Sequence, residues 1–328
     1  MVEVLRTRHY SRRTEEACLH WIRRFLVFHS GAHPRELAEN DVNRFLTHLA
    51  VGENVAASTQ NQALAAVLFL YEHVLEQPLD RIEGVVRARK AKQLPIVLSP
   101  EEVEAILAEL DGAPRLVCTL LYGSGLRLLE GLGLRVGPRL RPWGITVRRG
   151  KGQKDRVTML SDTLSQALQD HLRRVRKQQK ADLKSGLGQA PLPDALARKY
   201  PNADREWGWQ WVFPASSHYL DRRTGIRHRH HLHESVIQKA VHQAAHRAGL
   251  AKRVTTHSFR HSFATHLLGD GYDIRTVQEL LWHKDVQTTM VCTHVLNRGG
   301  LGDHSPLDRL RKAASSERGG IIRADRSA

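Results

Sequence analysis

Apolar positions recur at helical spacing through the first eighty residues. Residues 14–29 place Ala17, Cys18, Trp21, Ile22, Phe25 and Leu26 on one face. Residues 34–49 do the same with Leu37, Val42, Phe45 and Leu49, and residues 58–75 with Ala63, Ala66, Val67, Leu70 and Tyr71. Three such stripes predict a small all-helical module, with Arg6, Arg8, Arg12 and Arg13 crowded at its start. The pattern then lapses. Val85-Val86-Arg87-Ala88-Arg89-Lys90-Ala91-Lys92-Gln93-Leu94-Pro95 is basic and has no apolar face. It reads either as a solvated charge run or as a connector between two modules that grip a polyanion.

A second module opens at Ser99-Pro100-Glu101-Glu102, which offers an N-cap serine, proline at the first helical position and glutamate three residues after the cap. Residues 116–122 continue as an apolar helix. Residues 145–148 and 156–160 alternate on either side of Gly150-Lys151-Gly152-Gln153-Lys154-Asp155, which predicts a β-hairpin with a basic, glycine-marked tip. Helical spacing returns over 162–180, 240–250, 258–268 and 274–282. The tail is small, polar and charged, and is expected to be disordered. The fold class predicted is mainly α with a small antiparallel β-sheet. The divisions expected are a helical module over 1–83, a basic linker over 84–98, a larger domain over 99–314 and a tail over 315–328.

Charge narrows the function. The 328 residues carry 50 Lys and Arg against 34 Asp and Glu, a net charge of +16. Such a balance points to a polyanion, with nucleic acid the first candidate. A membrane surface would call for a basic amphipathic helix with a lipid-facing side. No stretch approaches the ~20 apolar residues that span a bilayer, and no secretory signal opens the chain. Cys18, Cys118 and Cys292 are too few and too scattered for a disulfide framework, so a reducing cytoplasm is expected.

Three patches carry candidate chemistry. Gly123-Ser124-Gly125-Leu126-Arg127 delivers an arginine from a glycine-flanked turn into apolar surroundings. It suits an anionic ligand, or else a structural pair with Glu130 three residues on. In Thr256-His257-Ser258-Phe259-Arg260-His261, His257 and Arg260 share one helical face, which suits a phosphodiester oxyanion; a polar helix start is the plainer alternative. His283-Lys284-Asp285 precedes another helix that carries Cys292.

In this order and spacing the patches resemble the tyrosine recombinases. The family pattern is a glycine-flanked arginine, a hairpin lysine, His-x-x-Arg-His, a histidine, and a tyrosine nine residues later. Here those positions read Arg127, Lys151, His257 with Arg260, His283, and Cys292. Gly271-Tyr272-Asp273-Ile274-Arg275-Thr276-Val277-Gln278 and Thr293-His294-Val295-Leu296-Asn297-Arg298 resemble the integron integrase branch. So does an insertion over 188–213 that contains Trp207, Trp209 and Trp211.

The resemblance implies a two-domain DNA clamp, with an N-terminal SAM-like core-binding domain and a C-terminal catalytic domain. It implies that Arg127 and Arg260 hold phosphate oxygens, that Lys151 protonates the departing 5′ oxygen, and that His257 and His283 donate hydrogen bonds or shuttle a proton. The nucleophile would hold DNA as a covalent 3′ ester, with no metal or other cofactor. Double-stranded DNA, folded single-stranded attachment sites and a homotetramer assembled on DNA are the implied partners. Arg12, Arg13, Lys90, Lys92, Lys154, Trp207, Trp209, Trp211 and His230 are the candidate DNA contacts.

The departures bear on activity. A cysteine ends roughly 3–4 Å short of a tyrosine hydroxyl, and a 1 Å misplacement can already cost about 10²-fold. Strand cleavage at Cys292 is therefore expected to be strongly reduced or absent, although nearby arginines would favour a thiolate. Trp282 stands where relatives have glycine, which threatens the placement of His283 or demands an unusual backbone angle. The turn over 137–144 is one residue short of the integron pattern. Two aromatic patterns stay open. Trp207, Trp209 and Trp211 alternate as in a strand packed on a core, or as a platform for bases. His228, His230, His231 and His233 invite a zinc reading, but no cysteine or carboxylate completes the ligand set, and no metal is expected.

Overall fold

The computed structural model describes residues 1–79, 95–137, 140–141, 144–147, 155–192, 194–222, 224–283 and 285–296. The chain divides into two compact units, Met1–Gln93 and Leu94–Ala328.

In the first unit, α1 (Val2–Thr7) leads into α2 (Arg12–Phe28), which begins where the Ser11 hydroxyl accepts from the Thr14 amide. The helix expected over 34–49 is broken instead. Pro34–Glu36 forms a 3₁₀ turn, Leu37 and Ala38 are extended, and α3 (Glu39–Thr47) starts afresh where the Asp41 carboxylate accepts from the Ala38 amide. The Tyr71 hydroxyl bonds the Pro34 and Leu37 carbonyls at 2.8 and 3.0 Å, so the side chain on α4 (Ala57–His73) satisfies the broken turn. The apolar stripes meet as predicted in one core of Trp21, Phe25, Val42, Phe45, Leu49, Ala63, Val67 and Tyr71.

The second unit starts from a reciprocal cap. Ser99 accepts from the Glu102 amide and Glu102 accepts from the Ser99 amide, starting α5 (Pro100–Ala108). Leu98, just before it, is fully buried. Its amide donates to Ser262 Oγ at 2.9 Å, and its carbonyl lies 3.0 Å from His266 Nε2. The end of the expected linker is thus part of the second core.

α6 (Gly112–Ser124) and α7 (Leu128–Leu132) follow, then a three-stranded antiparallel sheet of β1 (Leu140–Arg141), β2 (Gly144–Val147) and β3 (Arg156–Met159). Ile145 pairs with Thr158 and Val147 with Arg156. All four side chains are buried, while Val157 between them is exposed, as the period of two demands. The hairpin tip with Lys151 and Lys154, the connector with Lys90 and Lys92, and the tail over 315–328 lie outside the described residues.

α8 (Asp162–Lys184) and α9 (Asp194–Lys199) precede a short ribbon of β4 (Tyr219–Leu220) and β5 (Arg227–His228). The alternating tryptophans do not form a strand. Trp207–Trp209 is a 3₁₀ turn, and Trp211 makes a single antiparallel bridge with Arg135. The Arg135 guanidinium lies 3.3 Å from the centre of the Trp211 ring, and it donates to the Trp209 and Pro191 carbonyls. Gly137 donates to Gly208 O at 2.7 Å, and a Cβ on Gly137 would come within 2.6 Å of that oxygen, so glycine permits the approach. Pro191 and the turn over 207–211 are therefore fastened to the segment that follows α7.

α10 (Glu234–Arg247), α11 (Thr256–Gly269), α12 (Ile274–Leu281) and α13 (Val286–Leu296) complete the unit. Its main core joins α5, α6, the sheet and α10. A smaller cluster of Phe263, Ala264, Val277, Leu281 and Cys292 binds the last three helices together. No described helix is long and apolar enough to cross a membrane.

Candidate active site

Gly125 ends α6 in the left-handed region at φ 61°, and Arg127 follows as the N-cap of α7. A Cβ on Gly125 would stand 2.5 Å from the Phe263 ring and 2.9 Å from Leu281. The turn thus packs directly against α11 and α12, and the Gly125 carbonyl accepts from Arg260 Nη1. Gly125→Ala combines about 1–2 kcal/mol of left-handed backbone cost with roughly 1–3 kcal/mol of overpacking. A loss of about 2–5 kcal/mol in urea unfolding is expected, and an unchanged midpoint would contradict this packing.

Arg260 is the hub. Its side chain is 3% exposed, and Nη2 donates to the Leu281 carbonyl at 2.5 Å. Burial, then Arg127, lowers its pKa to about 9, which leaves it charged at neutral pH. Glu130 is the counter-ion. It accepts from the Arg127 amide at 2.9 Å and from Arg127 Nη1 at 2.8 Å. It also accepts from Arg156 Nη1 and Nη2 at 3.2 and 2.7 Å, and lies 3.9 Å from Arg260 Nη1. Burial pushes this carboxyl upward, but Arg156 and Arg127 outweigh it and hold it below the usual range. Of the two readings of Arg127, the local pair with Glu130 forms, and Arg260 lies beside that pair.

The histidines sit in this cationic field. Burial, then Arg260 and Arg127, lowers the pKa of His257. The same causes push His283 down to about 3, and burial with His257 takes His261 to about 4. All three are neutral imidazoles at neutral pH. Because their pKa values are depressed on folding, the unfolded chain binds more protons below about pH 6.5. Stability is therefore expected to be whole above pH 6.5 and to fall toward pH 4. Melting temperatures that stay flat over this window would contradict neutral histidines.

Trp282 keeps the left-handed conformation at φ 53° and ψ 54°, closing α12 as glycine would. His283 follows directly. Its amide bonds the Gln278 carbonyl, its carbonyl accepts from Gln278 Nε2 at 3.0 Å, and Nδ1 lies 2.9 Å from Thr289 Oγ1.

Cys292 is fully buried on α13. The arginines do not make it a thiolate: burial raises its pKa, and the opposing effects of the Thr265 hydroxyl and Arg260 do not overcome that. Tyr122 is already engaged through its hydroxyl, 2.8 Å from His266 Nδ1, and Tyr272 lies exposed in the turn after α11.

Arg127, His257, Arg260, His283 and Cys292 are thus brought into one neighbourhood, whereas Lys151 lies outside the described residues. Sequence reasoning treated Glu130 as a local partner and missed Arg156 and Thr289. The i, i+3 spacing signalled only the first of Glu130's three arginines.

The candidate DNA contacts are placed less uniformly. Arg12 is exposed on α2 and paired with Glu16, and Arg13 is exposed beside it. His230 is half-buried, 4.1 Å from the His231 ring and 5.3 Å from Trp211, and burial takes its pKa to about 4. Arg176 lies 5.6 Å from the Trp207 ring centre. Among the described residues no group of three or more His, Cys, Asp or Glu is arranged to hold a metal.

The model of the phage integrase family matches residues 97–298, and that of the phage integrase N-terminal SAM-like domain matches residues 1–81. An integrase/recombinase of Escherichia coli is 48% identical over 309 residues, covering 94% of this chain and 92% of its own. A tyrosine recombinase XerD of Agrobacterium fabrum is 32% identical, covering 78% of this chain and 76% of its own. The Tn1549 transposon integrase in complex with circular intermediate DNA has the same fold, with a TM-score of 0.59 at 17% identity over 96% of both chains. With its SAM-like N-terminal domain and its arginine-rich catalytic domain, the chain belongs to the phage integrase family of tyrosine recombinases.

Proposed function

We propose that this chain is an integron integrase-like, site-specific DNA recombinase whose strand-cleavage step is impaired by Cys292. The observation that carries the reading is Arg260. It is buried and charged, and its field reaches Arg127, His257, His283 and Cys292, which is the setting a phosphodiester oxyanion needs. Arg127 and Arg260 hold the non-bridging phosphate oxygens, with His257 and His283 as further donors. In cleavage, a bond from phosphorus to the nucleophile forms as the bond to the 5′ oxygen breaks, and Lys151 gives that oxygen its proton. Rejoining runs the same steps backward. The basic composition supports DNA as substrate, Arg12, Arg13, Lys90, Lys92 and Lys154 supply contacts, and the protein acts as a homotetramer on DNA. Trp207, Trp209, Trp211 and His230 contribute contacts from the insertion, where an attachment site folded from a single strand presents unpaired bases.

The burial of Cys292 as a neutral thiol also favours a second reading, a DNA-binding protein of the same fold that does not cleave. Trapping of a covalent adduct on a nicked attachment site separates the two. Binding without adduct supports the second, adduct through Cys292 supports an active enzyme, and absence of DNA binding at low salt removes both.

A further inference from the structure

We propose that Thr289 is a positioning residue that selects the tautomer of His283: its hydroxyl donates to Nδ1, which leaves the ring proton on Nε2. The inference deepens the reading of His283 as a phosphate-facing donor and rests on that reading for its consequence in catalysis, though not for its test.

The geometry leaves the ring little freedom. His283 follows the left-handed Trp282, and Gln278 bonds its backbone at both ends, through its own carbonyl and through Nε2. Only the ring remains to be fixed, and its one bond among the described residues is the 2.9 Å contact from Nδ1 to Thr289 Oγ1. Thr289 is fully buried, so no water competes for that hydroxyl.

The direction of the bond follows from where the hydroxyl proton can go. Helical hydroxyls commonly donate to the carbonyl four residues back. Thr7, Thr119 and Ser262 do so here, to Glu3, Arg115 and Ser258. Among the described residues Thr289 makes no such bond, and its proton is available to Nδ1. A neutral imidazole that accepts at Nδ1 carries its hydrogen at Nε2. Burial, and after it Arg260, Arg127, His261 and Arg156, disfavour a second proton on this ring. His283 is thereby held as a neutral N–H donor rather than as a base. Because Thr289 lies on α13 one turn before Cys292, the helix that carries the nucleophile position also sets this donor.

The test is nitrogen NMR on the ¹⁵N-labelled full chain without DNA. In the wild type at pH 7, His283 should show a protonated Nε2 and an unprotonated Nδ1. Thr289→Ser, which keeps the hydroxyl, should preserve that pattern. Thr289→Val, which keeps the shape, should give shifts averaged over both tautomers, and a titration that moves up toward the ordinary histidine range. A wild-type ring protonated at Nδ1 overturns the proposal, as does a folded Thr289→Val chain whose pattern is unchanged. If the valine variant does not fold, the wild-type pattern alone decides. Because no DNA is present, failure here leaves the recombinase reading intact, and failure of cleavage leaves this bond intact.

Discussion

Cys292→Tyr is expected to turn a chain that traps little or no DNA into one that forms a covalent adduct at least about 10²-fold faster on a nicked attachment site. Two obstacles act on the wild type, and the substitution removes the first; a phenol, with a pKa of about 10, is no more ionised than the thiol but presents oxygen to phosphorus. The thiol ends roughly 3–4 Å short of a phenolic oxygen, and even 1 Å of misplacement is worth about 10²-fold. The thiol is also fully buried and held neutral, whereas the ionised form is the nucleophile. A tyrosine here must thread past Phe263, Ala264, Val277 and Leu281, so roughly 1–3 kcal/mol of stability loss is expected beside the gain. Denaturing gels of the trapped product, read alongside a melting curve, report both effects. A folded, DNA-binding tyrosine variant that still forms no adduct would shift the blame to Trp282 or to the short turn over 137–144.

Glu130→Gln is expected to be the most damaging of the conservative changes. The carboxylate accepts four hydrogen bonds from Arg127 and Arg156 and faces Arg260. Gln has nearly the same shape but no charge, and it would leave three guanidinium groups crowded without their counter-ion. Breaking a buried ion pair costs about 3–5 kcal/mol, which for a unit of this size lowers the melting temperature by roughly 6–20 °C. The same crowding predicts a rescue. Sulfate should raise the melting temperature of the variant more than that of the wild type, because an anion that binds only the folded state stabilises it. A melting temperature within about 2 °C of wild type would show that Glu130 does not balance these arginines.

Local chemistry was the most readable part of the sequence. The Ser99 and Glu102 cap, the strands around the hairpin and the first and third N-terminal helices stand where spacing places them, because each depends on neighbours a few residues away. The failures have the same explanation in reverse. The helix expected over 34–49 breaks because Tyr71, more than thirty residues later, satisfies an interrupted turn. The tryptophan alternation suggested a strand, but Arg135 draws the Trp209 carbonyl and the Trp211 ring to itself, and the chain forms a 3₁₀ turn. In the site, motif spacing named Arg127, Arg260, His257 and His283 but not Arg156. It did not show that Glu130 balances residues on β3 and α11, or that burial would defeat the arginines at Cys292. Charge balance and desolvation belong to the assembled fold.

Arg135 has a consequence for how this protein can be remade. Residues 188–213 are pegged to the rest of their domain by this guanidinium, which grips two peptide oxygens and one indole, by amide bonds from Val136 to the Gln210 carbonyl and from Val212 to the Leu134 carbonyl, by His171 and Gln179, and by a pair of glycines that touch. Transplanting the segment into a recipient recombinase should therefore require Arg135 and Gly137 to be imported with it, along with partners for its bonds to Leu134, Val136, His171 and Gln179, before any loop length is tuned. Ala190, Ala203, Val212 and Phe213 are buried within it and must travel unchanged, so its exposed positions are the ones open to rewriting for new attachment sequences.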